Sequence, residues 1–164
     1  MKSKRNDVFQ NKSIKVPFVV PNIDSSDKKA IAIALKSNLL TDGPILRKFE
    51  KEFSRFTDSK YAIGVSNATS ALQLSLKSLG IGKGDEVIIP DMTFIATASA
   101  VILSGATPVL ADIKKDDLTL MPESVEKSVN SKTKAIIPVH FAGSPCDMKQ
   151  IKKIAKKNNL KIIE

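Results

Sequence analysis

Val65-Ser66-Asn67-Ala68-Thr69-Ser70-Ala71-Leu72-Gln73-Leu74 runs from an apolar stretch through small polar residues directly into an apolar helical pattern. The start of a helix leaves backbone N–H groups unpaired and carries roughly half a positive charge, which together suit a phosphate. Small side chains also let a ligand approach the backbone. Asn and Thr are common helix caps, so this segment alone leaves open whether Asn67 or Thr69 meets a ligand or merely caps the helix.

Short apolar runs alternate with helical stretches on both sides of this segment. The runs occupy residues 61–65, 87–89, 108–110, 135–139 and 160–163. They are continuous rather than alternating, as expected of strands covered on both faces, and their spacing fits repeated crossover units. The sequence therefore predicts an α/β fold with a mostly parallel sheet and helices on both faces.

Local signals mark where several helices begin and end. Gly80 and Gly105 stand where two helices should stop in left-handed caps. Two further helices precede the first strand. The first is predicted to be capped by Ser25 or Ser26, to carry an apolar stripe that includes Ile31 and Leu35, and to end near Asn38. The second begins at Pro44 and places Leu46, Phe49 and Phe53 on one face.

Phe94 follows the carboxyl end of the strand predicted at 87–89, within Pro90-Asp91-Met92-Thr93-Phe94. An aromatic side chain there could lie against a planar ring held by the neighbouring phosphate site. It could equally be a core residue at the start of a helix, because buried phenylalanine is common. Position alone leaves both interpretations open.

Composition excludes several classes of function. The chain has 164 residues, 42% hydrophobic and 26% charged, as in an ordinary soluble globular protein. No apolar run approaches the roughly 20 residues of a membrane span, and the N-terminal residues lack the apolar centre of a signal peptide. One cysteine, Cys146, and one histidine, His140, provide neither an internal disulfide nor a Cys/His metal cluster. We expect a cytoplasmic protein without a bound metal.

The net charge of +9 raises the question of nucleic-acid binding. Several lysines recur at helical spacing between residues 149 and 157, opposite Ile151 and Ile154, which is typical of a solvated helix face. Another basic cluster lies in a polar leader at residues 1–15. The chain has no Trp and one Tyr, so it lacks aromatic residues on which bases could stack. We therefore predict no nucleic-acid partner.

Five blocks, in order, resemble the DegT/StrS family of sugar aminotransferases, and the resemblance runs from about Val16 to the last residue. The blocks are Leu40-Thr41-Asp42-Gly43-Pro44, Ser66-Asn67-Ala68-Thr69-Ser70-Ala71-Leu72, the segment 82–97, Gly105-Ala106-Thr107-Pro108-Val109 and Lys134-Ala135-Ile136-Ile137-Pro138-Val139-His140. The resemblance implies the large domain of the aspartate-aminotransferase-like fold (fold type I), incomplete over residues 16–164. It also implies pyridoxal 5′-phosphate as cofactor and a homodimer with active sites at the subunit interface.

The resemblance assigns roles residue by residue. Ala68 and Thr69 match the pair that holds the cofactor phosphate, and Phe94 matches the aromatic stacked on the pyridine ring. Leu40 and Thr41 match a turn near the amino-sugar substrate. The chain has Asn67-Ala68 where many members carry Ser-Gly. The Ala68 methyl therefore leaves a ligand less space to reach the Ala68 amide.

His140 follows an apolar strand at a position that the family often shares. Its place at the end of a strand requires only a polar residue. A structural role and a catalytic role both remain open for it.

Pyridoxal chemistry also needs a Schiff-base lysine and an acid that keeps the ring nitrogen protonated. No lysine of the chain stands in the family's Schiff-base context, and the resemblance places both groups beyond Glu164. We therefore expect a truncated chain that is inactive by itself.

The expected reaction of the full-length protein is transfer of an amino group, from glutamate, to a keto group of a nucleotide-linked sugar. A sugar dehydratase of the same family is an alternative, as is a non-catalytic α/β module that binds a nucleotide or another phosphate.

Overall fold

The computed structural model describes residues 20–164, which fall into two compact units that join after Gly64. The first unit contains two helices, and the second contains the sheet with its helices. The predicted leader at residues 1–15 and the predicted domain start at Val16 lie outside the described residues.

Helix α1 (Ser25–Ala34) is capped by Asp24 rather than by Ser25 or Ser26. The Asp24 carboxylate accepts the amides of Ser26 and Asp27, and the Asp27 carboxylate accepts the Asp24 amide at 3.0 Å, which completes a capping box. A carboxylate also interacts more favourably with the positive end of the helix than a hydroxyl does. The predicted cap at Ser25 or Ser26 is therefore wrong by one or two residues.

Helix α1 ends before the predicted position at Asn38. Residues 35–38 form turns, and the Ser37 hydroxyl both accepts the Leu39 amide and donates to the Leu39 carbonyl, each at 3.2 Å. Such local side-chain hydrogen bonds compete with helix continuation. The predicted apolar stripe is exposed within the described chain, since Ile31 and Leu35 are 58% and 66% accessible.

Helix α2 (Pro44–Phe56) begins at Pro44, as predicted. Proline suits this first position because its missing N–H would have no helical partner there. Phe49 and Phe53 lie on the same face with ring centroids 5.6 Å apart. No residue of α1 or α2 is buried in the described chain.

Four parallel strands form the sheet, in the spatial order β2, β1, β3, β4. They are β1 (Glu86–Pro90), β2 (Thr107–Ala111), β3 (Thr133–Ile136) and β4 (Lys161–Ile162). Ile88 in β1 pairs with Val109 on one side and Ile136 on the other. Four of the predicted strands and the parallel arrangement are thus confirmed.

Helices cover both faces of this sheet, as predicted. On one face, α3 (Ala68–Ser78) and α4 (Ala96–Ser104) bury Leu76 and Val101 against Val87 and Ile89. On the other, α5 (Pro122–Ser128) and α6 (Met148–Lys157) pack against Ile88 and Ile136.

The lysines of α6 confirm the predicted solvated face. They are exposed, while Ile151 and Ile154 of the same helix are buried. Among residues 20–164, no helix has the length and apolarity needed to cross a membrane.

The strand predicted at residues 61–65 is absent from the described structure. These residues form no regular secondary structure, and Tyr61 and Ile63 are 73% and 82% exposed. A strand needs a neighbour that satisfies its backbone groups, and none of the other described strands pairs with this run. Apolar composition was therefore not sufficient for strand formation here.

Gly105 ends α4 in the left-handed conformation, with φ of 95°, as predicted. Gly80, directly after the C-cap of α3, also has a positive φ of 73°. We expect Gly105→Ala to lower the free energy of unfolding by about 1–2 kcal/mol, because a Cβ clashes with the following carbonyl in this conformation. Urea unfolding followed by circular dichroism measures the change.

Gly82→Ala is the matched control for this substitution. Its Cβ would lie 3.4 Å from the Ser104 carbonyl oxygen, the same separation that a Cβ at Gly105 would have from the Lys83 amide nitrogen. Gly82, unlike Gly105, does not have a left-handed φ. Equal losses of stability in the two variants would contradict a conformational origin.

Candidate functional site

Asn67 is the N-cap of α3. Its backbone is extended, with φ of −167° and ψ of 167°, and its side-chain oxygen accepts the Ser70 amide at 2.9 Å. Its carbonyl oxygen accepts the Ala71 amide at 3.1 Å. Asn67 therefore caps α3, which is one of the two roles that the sequence left open for it.

The first two amides of α3, those of Ala68 and Thr69, have no recorded acceptor among residues 20–164. The Thr69 hydroxyl likewise has no recorded hydrogen bond within that range, which leaves three donors at one helix start. Ala68 is exposed and Thr69 is half-buried, so an external group can reach both. Amides at a helix N-terminus favour an anion both by hydrogen bonding and through the helix dipole.

Helices α3 and α4 begin at the same edge of the sheet. Helix α4 follows β1 and leads to β2, so it starts at the carboxyl edge and ends at the amino edge. The Gln73 side chain, near the middle of α3, donates to the Leu103 carbonyl near the end of α4 at 3.2 Å, and α3 leads into the amino end of β1. Thr69 and Phe94 therefore occupy the same layer and the same edge.

Phe94 lies between β1 and α4 with 78% of its surface exposed, so it is not a core residue of the described chain. Its carbonyl accepts the Thr97 amide at 3.0 Å, and the Thr93 and Thr97 hydroxyls are 2.8 Å apart. Thr97 is buried, so this pair anchors the loop that presents Phe94. This pair was not predicted from the sequence, although two threonines four residues apart at a helix start were a usable signal.

Leu40 and Thr41 lie in the turn between α1 and α2, in the first unit, and both are exposed. The next residue, Asp42, has a left-handed φ of 49°, and its carboxylate pairs with the Arg47 guanidinium. An exposed ion pair thus connects the turn to α2, while the two predicted substrate residues face solvent in the described structure.

His140 connects the ends of β3 and β4. Its Nδ1 accepts the Cys146 amide at 3.1 Å, and its Nε2 lies 3.0 Å from Glu164 Oε2. Because Nδ1 accepts, the hydrogen-bond network assigns the proton to Nε2, which donates to the carboxylate. The Cys146 thiol donates to the Val139 carbonyl at 3.1 Å. These contacts provide a structural role for His140.

The described fold is a parallel α/β sheet in which the start of α3 leaves amide donors without an acceptor at the carboxyl edge, an arrangement that suits an anion. The sequence profile of the DegT/DnrJ/EryC1/StrS aminotransferase family matches residues 21–164. The chain belongs to this family, as its sequence blocks predicted.

Several known proteins are similar to the chain. The spore coat polysaccharide biosynthesis protein SpsC of Bacillus subtilis (strain 168) is 41% identical over 157 residues, which cover 96% of this chain and 40% of SpsC. An aminotransferase from Psychrobacter cryohalolentis superposes with a TM-score of 0.85 at 44% identity, covering 90% of this chain and 38% of that one. NtdA from Bacillus subtilis with bound cofactor PMP superposes with a TM-score of 0.84 at 37% identity, covering 94% and 37%.

These neighbours confirm the predicted fold class, the α/β fold of fold type I aminotransferases. The chain spans about 40% of the length of SpsC and slightly less of the two solved neighbours.

Proposed function

We propose that this chain is the part of a longer protein that binds the cofactor phosphate, and that the longer protein transfers an amino group to a keto group of a nucleotide-linked sugar. Glutamate is the proposed amino donor, and pyridoxal 5′-phosphate is the proposed cofactor. The observation that carries the proposal is the α3 start, where the Ala68 and Thr69 amides have no recorded acceptor within residues 20–164.

The comparisons support different parts of this proposal. Membership in an aminotransferase family supports the reaction class, and the PMP bound to NtdA supports the cofactor. The name of SpsC supports a setting in polysaccharide biosynthesis. The nucleotide linkage and the donor rest on the sequence resemblance alone.

The residues of the chain fit the phosphate end of the cofactor. The amides of Ala68 and Thr69 and the Thr69 hydroxyl would donate to phosphate oxygens, and the α3 dipole would add to their attraction. Asn67 already accepts the Ser70 amide, so the helix stays capped whether or not an anion is present. When bound, pyridoxal phosphate supplies an electron-withdrawing ring that stabilises negative charge on a substrate carbon.

Other residues of the chain would orient rather than react. Phe94, exposed at the same edge as Thr69, would lie against one face of the cofactor ring and limit its tilt. Leu40 and Thr41 would contact the sugar. We assign no catalytic residue to this chain, and we place the lysine and the acid required by the chemistry beyond Glu164, so residues 1–164 alone should bind phosphate without turnover.

We further propose that the full-length protein is a cytoplasmic homodimer with active sites at the subunit interface. Helices α1 and α2 expose apolar side chains, among them Phe49 and Phe53. Exposed apolar patches are typical of protein interfaces, which supports a partner surface that covers these helices. Analytical ultracentrifugation of the full-length protein would test this, and a monomer at micromolar concentration would reject it.

The central experiment is to purify the full-length protein and to look for a yellow cofactor that borohydride reduces onto the polypeptide. Supplied with glutamate and a keto sugar nucleotide, the protein should form the nucleotide-linked amino sugar and 2-oxoglutarate. A colourless product that does not bind added pyridoxal phosphate would reject the proposal. Coloured protein that dehydrates the sugar instead would establish the dehydratase alternative.

Thr69→Val should weaken cofactor binding in the full-length protein. Valine keeps the shape but removes the hydroxyl, and a hydrogen bond to a charged phosphate contributes at least about 1.5 kcal/mol, or roughly a tenfold rise in dissociation constant. Thr69→Ser keeps the hydroxyl and should stay close to the parent. Absorbance titration with pyridoxal phosphate measures both constants, and equal weakening by serine and valine would argue against a hydroxyl contact.

A further inference from the structure

Glu50 makes an unusual contact for an acidic residue on a helix surface. Its carboxylate accepts the backbone amide of Gly64 at 2.8 Å, across 14 residues of sequence. A second oxygen accepts from the Arg47 guanidinium at 3.2 Å, and only 14% of the Glu50 side chain is exposed. The Gly64 amide is the largest cause of the lowered pKa of Glu50, whereas burial acts in the opposite direction. The Glu50 carboxylate is thus the hydrogen-bond acceptor for the Gly64 amide.

Gly64 approaches α2 closely at this point. A Cβ placed on Gly64 would lie 2.5 Å from Leu46 Cδ1, one turn before Glu50 on the same helix. The Gly64 backbone thus packs against α2 beside the Glu50 carboxylate, whose Oε1 a Cβ on Gly64 would meet at 3.7 Å. Within the described chain, the only recorded hydrogen bonds to the backbone of residues 61–65 are this one and the bond from the Ser59 hydroxyl to the Tyr61 carbonyl.

The segment fixed by Glu50 leads directly into the phosphate-binding helix. Gly64 stands three residues before Asn67 and four before Ala68. Among the described strands none pairs with residues 61–65, so the bond to Glu50 is the contact that fixes the Gly64 backbone within the described chain. Because only a few bonds separate them, a shift of the Gly64 backbone would displace the amides of Ala68 and Thr69, which are the proposed phosphate donors.

We propose that Glu50 is a positioning residue for the cofactor-phosphate site, acting through its bond to the Gly64 amide. This inference rests on the proposed function, since it assumes that a phosphate occupies the start of α3. Arg47 supports the carboxylate and also pairs with Asp42 in the turn that carries Leu40 and Thr41. Asp42 and Arg47 are largely exposed, so their pair contributes little to the effect of Glu50.

The test compares three variants of the full-length protein. Glu50→Ala removes the acceptor and should raise the dissociation constant for pyridoxal phosphate roughly tenfold, because displacement of the Gly64 backbone would cost about one amide–phosphate hydrogen bond at the start of α3. Glu50→Gln keeps an oxygen that accepts the Gly64 amide and should stay within about threefold of the parent. Glu52→Ala is the matched control, because Glu52 lies on the same helix but is 64% exposed and pairs only loosely with Lys48 at 3.8 Å.

Pyridoxal, which lacks the phosphate, separates positioning from general destabilisation. All titrations are made well below the measured unfolding midpoints, so that every variant is folded. Glu50→Ala should weaken the binding of pyridoxal phosphate far more than the binding of pyridoxal. Equal weakening of both ligands, or unchanged binding of pyridoxal phosphate, would overturn the role of Glu50. If the parent protein binds no pyridoxal phosphate, the proposed function fails together with this inference.

Discussion

Leu76→Ala is expected to lower the free energy of unfolding of this chain by about 3 kcal/mol, which is typical for a leucine truncated in a packed core. Leu76 lies on α3 with no exposed surface, in the cluster that α3 and α4 form with Val87 and Ile89. Its removal takes apolar surface out of the core and leaves a cavity that neighbouring backbone cannot readily fill. Urea unfolding monitored by circular dichroism at 222 nm, a standard helix signal, gives the change.

Leu74→Ala provides the matched control on the same helix. Leu74 is two residues away and 53% exposed, so the same substitution creates no cavity in this chain. Alanine also has the higher helix propensity, and we expect a change below about 0.5 kcal/mol. Similar losses for Leu74 and Leu76 would contradict the described orientation of α3.

Ala68→Pro should raise the dissociation constant for pyridoxal phosphate in the full-length protein by roughly 10- to 100-fold. Ala68 is the first residue of α3, where proline is well tolerated because that amide has no helical partner. Asn67 before it is already extended, as a residue preceding proline prefers. The substitution therefore removes one amide donor while the helix remains, and a hydrogen bond to a charged group contributes about 1.5–3 kcal/mol.

Stability distinguishes loss of the donor from loss of the helix. The unfolding midpoint of Ala68→Pro should match that of the parent without cofactor, and Ala68→Ser, which keeps the amide, should bind cofactor nearly as the parent does. A proline variant that binds pyridoxal phosphate normally would remove Ala68 from the phosphate site. A large fall in its stability would show that the start of α3 differs from the description here.

Much of the second unit follows from local sequence. Continuous apolar runs such as Val87-Ile88-Ile89 separated by helical patterns were sufficient to predict a parallel sheet, because both faces of such strands are covered. Gly105 marked the end of α4, since a left-handed φ there favours glycine. The small polar residues from Ser66 to Thr69 marked the start of α3.

The features that were predicted wrongly or missed depend on contacts between residues distant in sequence, or on neighbouring residues with similar capping propensity. The run at 61–65 is as apolar as a strand, yet pairing depends on a neighbour that composition does not reveal. Asp24 and Ser25 are both good caps, and a capping box with Asp27 decides between them. The bond from Glu50 to Gly64 spans too many residues for any helical periodicity to indicate it.

The site residues have a different status from the fold. Family membership and the fold type I architecture are confirmed, whereas ligand contacts of Ala68, Thr69, Phe94, Leu40 and Thr41 remain predictions. The described geometry does remove one alternative, because an exposed Phe94 is not a core residue of this chain. The titrations above address the phosphate contacts directly.

The strand order has a consequence for synthesis on the ribosome. β1, at the centre of the sheet, is translated before both of its neighbours, β2 and β3. Until those strands emerge, the nascent chain carries Val87, Ile88 and Ile89 without hydrogen-bonding partners, although all three end up fully buried. Such unpaired apolar strands are prone to intermolecular association, so co-translational chaperones should contact this polypeptide during the interval between β1 and β3.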